Sequence, residues 1–85
     1  MVMKPREMIV NIDTNGDYYI DGERHNEQQL TSRLQRAQTD NPGNQSVVIR
    51  GNEGADWKFV AQVMSLCNQN DIGDYRVAVI PEGEG

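Results

Sequence analysis

One cysteine in 85 residues leaves nothing for an internal disulfide or for a zinc cluster built on thiolates. Histidine also occurs once, and the aromatics amount to one Trp, one Phe and three Tyr. No apolar run approaches the roughly 20 residues that a membrane-spanning helix needs. The opening MVMKPREM lacks the apolar middle of a secretory signal. As given, the chain reads as soluble. Positive charge is scarce too, with 8 Lys and Arg against 13 Asp and Glu and a net charge of −5. A chain of that sign releases no counterions on meeting a nucleic acid, so nucleic acid is not expected as a partner, and neither is an anionic membrane. No cofactor is indicated, since glycine-rich phosphate loops and paired metal-ligand spacings are both missing. A domain this small buries roughly 60% of the surface its unfolded chain exposes, which leaves little core to enclose a catalytic pocket.

What is present begins with VNIDTNGDYYIDGE, Val10 to Glu23. Asp13, Asn15 and Asp17 alternate as the first ligands of a calcium loop do. Tyr18 stands where that loop needs its glycine, and Arg24 where it needs a bidentate Glu. The flanks MIVNI and YYI are strand-forming rather than helical. Asn15-Gly16 between two apolar runs is a strong hairpin signal. The stretch therefore reads as strand, tight turn, strand, followed by a second turn at Asp21-Gly22.

Alternation of Met8, Val10 and Ile12 sets a first strand over Met8 to Ile12, and a second follows over Asp17 to Ile20. Asn26 is positioned to cap a helix running to Thr39, with Gln29 placed to complete a capping box. Leu30, Leu34 and Ala37 give that helix a narrow apolar stripe. TDNPGN stops it. A third strand covers Ser46 to Arg50. Asp56 caps a second helix from Trp57 to Gln69, whose buried face is Val60, Val63, Met64 and Cys67. Tyr75 to Ile80 is the last strand, and Pro81 closes it. The expected fold is α+β, in the order ββαβαβ, with a mixed four-stranded sheet and both helices on one face. Residues 1–7 read as a flexible leader, 8–81 as the folded domain and 82–85 as a flexible tail.

Few residues suggest chemistry. His25 lies just before a helix, with no nucleophile or orienting carboxylate in a convincing pattern near it. Cys67 falls on an apolar helix face and has no cationic neighbour to activate it. Glu53 and Asp56 are loop carboxylates without a cleft for acid–base work. Asn44 opens an NQS triplet, a glycosylation sequon of a kind that often arises by chance. No enzymatic activity is expected. Trp57 reads first as a packed aromatic and Arg50 as a solvated or salt-bridged end of the third strand, although an exposed Trp57 could anchor an interface.

VVIRGNEGADWKFVAQVMSLCNQNDIGDYRVAVIPEG, together with the upstream hairpin and NEQQLTSRLQRA, resembles the C-terminal periplasmic domain of the ExbD/TolR family. Val47 to Arg50 fit the strand that in the family ends in Arg-Ala-Asp. Trp57 takes the place of the usual Tyr, Val60, Val63 and Met64 fit the helix, and Val77 to Val79 the last strand. The resemblance covers about residues 8–81. It implies a subunit of a proton-motive-force complex, sitting at the periplasmic face of the bacterial inner membrane. An ExbB/TolQ-like channel protein would be met through a membrane helix missing from this chain. The domain itself would form a homodimer and contact a TonB/TolA-like protein or peptidoglycan. The outcome would be outer-membrane transport or envelope maintenance. Gly51-Asn52 departs from the family's Ala-Asp. The resemblance implies recognition by an edge of the sheet and the loop around Arg50 and Trp57, with Arg50, Asn52 and Trp57 as the partner contacts. The alternative is a stand-alone soluble α+β adaptor.

Overall fold

The computed structural model describes residues 6–81. In chain order the elements are β1 (Arg6–Ile12), β2 (Tyr18–Ile20), β3 (Glu23–His25), α1 (Glu27–Asp40), β4 (Gln45–Asn52), α2 (Trp57–Gln69) and β5 (Asp74–Ile80). They build an α+β fold with a mixed sheet ordered β3-β2-β1-β4-β5. The sheet thus has five strands where four were expected. The additional strand, β3, reads Glu-Arg-His and carries no apolar alternation. It forms because Asp21 and Gly22 both adopt positive φ, at 52° and 79°, and fold the chain back onto β2. Tyr18, Tyr19 and Ile20 pair with His25, Arg24 and Glu23. This extra reversal lets α1 return the chain parallel to β1, which pairs with β4 over seven residues from Arg6–Gln45 to Ile12–Gly51.

The strand β1 also begins earlier than expected. Arg6 and Glu7, assigned above to a leader, pair with Gln45 and Ser46. Gln45 is the one buried polar residue among the described core positions, and its amide donates to the Arg6 carbonyl at 3.0 Å and the Ser46 carbonyl at 2.9 Å. The remainder of the expected leader and the tail at 82–85 lie outside the described residues.

The connection from β1 to β2 is longer than a two-residue turn. Gly16 takes φ 83°, whereas Asn15 stays out of that region. Asp13 organises the loop: its Oδ1 accepts from the Asn15 N–H at 3.0 Å and the Asp17 N–H at 2.9 Å. The alternating acidic pattern therefore serves the backbone of a turn, as Asp and Asn side chains commonly do.

Both helices cover one face. Met8, Val10 and Ile12 of β1, Val47 and Ile49 of β4 and Tyr18 and Ile20 of β2 share one core with Leu30, Leu34 and Ala37 of α1 and with Val60, Val63, Leu66 and Cys67 of α2. Burying a Leu side chain contributes roughly 1.5–3 kcal/mol, so the α1 stripe supplies enough to hold a short helix. Asn26 and Gln29 form the capping box, with bonds of 2.8 and 2.9 Å. Asp56 caps α2 through the Lys58 N–H. Beneath α2, Val60 lies so close to Gly51 that a Cβ there would stand 3.1 Å from its methyl. The family's alanine at this position would press on Val60.

Candidate functional site

Register decides what the uncovered face of the sheet presents. Residues paired across neighbouring strands point the same way. Tyr19 pairs with Asn11, Asn11 with Arg50, and Arg50 with Ala78. One step along, Asn52 pairs with Ile80. These side chains belong to the face opposite the helices. Asn11, Ile12, Asp13, Tyr19, Arg50, Asn52 and Ile80 line a recess of about 440 Å³. It lies at the C-terminal ends of the parallel strands β1, β4 and β5, the end at which open α/β sheets commonly bind ligands.

The recess is rich in hydrogen-bond donors. Arg50 is exposed and, among the described residues, is joined to no carboxylate. Asn52 uses its Oδ1 to accept from the Gly54 N–H at 2.9 Å, which leaves its amide hydrogens for other work. The Asp13 carboxylate is already engaged by the turn. Partial burial and the Asp13 charge, together with a hydrogen bond to the Asp13 side chain, raise the Tyr19 pKa; Asp17 adds to this and Arg24 opposes it.

Of the three residues singled out in the sequence, the fold brings Arg50 and Asn52 together. Trp57 is not part of that recess. It opens α2 in the other layer and is 58% exposed. Reading the loop as one segment missed this separation, because the two layers diverge between Asn52 and Trp57. Tyr19, Asn11 and Ile80 escaped notice for a related reason: only strand pairing brings them beside Arg50.

At the ends of the sheet the two edge strands differ. β3 is three residues long, with Glu23 and Arg24 exposed. Short, charged strands are a common way to blunt an edge. β5 is seven residues long, and Val79 on its helix side is 62% exposed. Its charged residues, Asp74 and Arg76, sit in its first half, and Arg76 is tied across β4 to Glu7 at 3.3 Å. Among the described residues, the stretch Val77 to Ile80 therefore presents outward backbone groups with neither charge nor covering strand.

The reactive residues are occupied or buried. His25 Nδ1 is 2.8 Å from the Glu23 carbonyl oxygen. Cys67 is fully buried in the core, and burial pushes its thiol up to about 11. Such a thiol carries almost no thiolate at neutral pH. Among the described residues, no group of three or more His, Cys, Asp or Glu is placed to share a metal ion.

The structure keeps the order of hairpin, helix, strand, helix and strand on which the family resemblance rests, with β3 added after the hairpin. The family model described as biopolymer transport protein ExbD/TolR matches residues 1–82. The chain belongs to the ExbD/TolR family. Comparison with curated proteins gives no match. ExbD/TolR proteins are subunits of energy transduction for biopolymer transport, and as a family they work with ExbB/TolQ-type and TonB/TolA-type proteins. No helix among the described residues is long and apolar enough to cross a membrane.

Proposed function

We propose that this chain is the periplasmic domain of an ExbD/TolR subunit in a proton-motive-force complex, and that it acts by contact rather than by catalysis. The family match supports the setting, and the β5 edge is the observation that carries the reading of how contact is made. An edge strand with unpaired N–H and C=O groups accepts an extended segment, whose main-chain bonds supply affinity. The segment would come from a TonB/TolA-like protein, and cell-wall peptide is the other candidate. Homodimerisation would use the same kind of surface. Contact with an ExbB/TolQ-like channel protein would be made by the family's membrane helix, with this domain at the periplasmic face of the inner membrane. Arg50 and Asn52 flank the β5 edge and Trp57 offers a separate exposed point on α2, so all three are proposed partner contacts.

The test is an amide-resolved NMR titration of the labelled chain with two probes. One is the purified periplasmic portion of a TonB/TolA-type protein from the same organism, and the other is soluble peptidoglycan fragments. Signals of Val77 to Ile80 and of Arg50 to Asn52 should move with at least one of them. Unmoved β5 signals with both probes would remove the edge from the mechanism.

A further inference from the structure

Behind the open edge sits a cation that, among the described residues, has no anionic partner. Register places Arg24, Arg50 and Arg76 on the uncovered face. Arg24 is held by Asp17 at 3.1 Å and Arg76 by Glu7 at 3.3 Å. Arg50 has no such anion among the described residues, although the chain as a whole carries a net charge of −5. Beside Arg50, on the way to the edge, stands Ala78. One step earlier the corresponding pair is Val48 and Arg76, and one step later it is Asn52 and Ile80. Ala78 is thus the low point of β5 on this face, and it lies directly in front of the free guanidinium.

A strand added outside β5 would lie two strand spacings from β4, roughly 10 Å away. A side chain on that strand facing Ala78 projects over a single methyl group toward Arg50. An Arg and a Glu extended toward one another span that gap, and the planar guanidinium favours a carboxylate as its acceptor. The Asn52 amide, two residues along β4 from Arg50 and paired with Ile80 of β5, flanks the meeting point. We propose that Arg50 is a specificity residue: the β5 edge selects an extended peptide that carries a carboxylate at the position facing Ala78. This rests on the reading of β5 as the contact edge.

The probes are capped seven-residue peptides alternating Thr and Val, with Glu, Gln or Lys at the centre. Affinity is read from amide shifts of the labelled chain, for the natural sequence and for Arg50→Gln. An exposed ion pair of this kind corresponds to about two- to fivefold tighter binding of the Glu peptide than of the Gln peptide. The Lys peptide binds more weakly than either. Arg50→Gln abolishes the preference, and added salt narrows it. Equal binding of Glu and Gln peptides, with β5 shifts for both, overturns the selection by Arg50 and leaves the edge reading standing. A Glu preference that survives Arg50→Gln also overturns it. Absence of β5 shifts with every peptide overturns both. Because Arg50 is exposed and makes no ion pair among the described residues, its replacement leaves the fold intact, which the spectrum of the variant checks directly.

Discussion

Single residues in this chain matter through what lies across from them rather than beside them. Gly16 illustrates this. It adopts φ 83° in the β1–β2 turn, and a Cβ added there would overlap the ring of Phe59 on α2. The turn is therefore pressed against a helix that begins about forty residues later in the chain. Gly16→Ala has to bear both the left-handed backbone and the overlap, and should lower stability by about 2–4 kcal/mol. Urea unfolding tests this, with a fall in midpoint at unchanged slope as the expected result. A loss below half a kcal/mol would show that the ring moves aside freely. The need for glycine was legible from Asn15-Gly16 as a turn signal. The second reason, Phe59, was not, because no local pattern announces a contact at that separation. Arg50 and Trp57 tell the same story in reverse: neighbours along the chain, they end in different layers.

Among the elements, those with a strong period or a cap were readable in the sequence, and the one without either was not. The capping box of Asn26 and Gln29, the stripe of Leu30, Leu34 and Ala37, and the Asp56 cap all stand where their residue types placed them. β3 was missed because a hydrophilic edge strand owes its existence to its turn and its neighbour, not to its own composition. The far end of α2 shows how a helix can be stopped by geometry. Asp71 adopts φ 59°, the Ile72 N–H donates to the Cys67 carbonyl at 2.9 Å, and the Asp71 N–H donates to the Asn68 carbonyl at 3.3 Å. That pair of bonds is a Schellman motif, and Ile72, at 1% exposure, is its apolar anchor. Aspartate is tolerated at the left-handed position but glycine suits it better. Asp71→Gly should accordingly stabilise the chain by about 0.5–1 kcal/mol. Thermal unfolding reads it out, and a lowered transition temperature would show that the carboxylate has a structural duty of its own.

For the molecule as a whole, composition and order gave the α+β class and the two-layer arrangement, with both helices on one side. They did not give strand order, and without strand order the recess at Arg50 cannot be assembled. Asn11, Arg50 and Ala78 come from three strands whose adjacency is a tertiary fact. The open face and the β5 edge follow from the same topology, since two helices suffice to cover one side of a sheet this size. Gln45 belongs to this scale as well, because its buried amide fastens the start of β1 to the start of β4.

The parallel ladders have a consequence for force. β1, β4 and β5 run the same way, joined by seven paired positions at each junction. Arg6 lies at the start of the first strand and Ile80 at the end of the last. Tension between those two points drags the strands lengthwise past one another, so the evenly spaced hydrogen bonds resist together. Tension between the starts of β4 and β5 instead peels one strand away, breaking bonds one after another. In optical tweezers, handles at residues 6 and 80 should unfold the domain at severalfold higher force than handles at residues 44 and 73. Equal forces would mean the ladder does not bear the strain. With the expected difference, the sheet is a shear joint, stiff along the line from where the chain enters β1 to where it leaves β5.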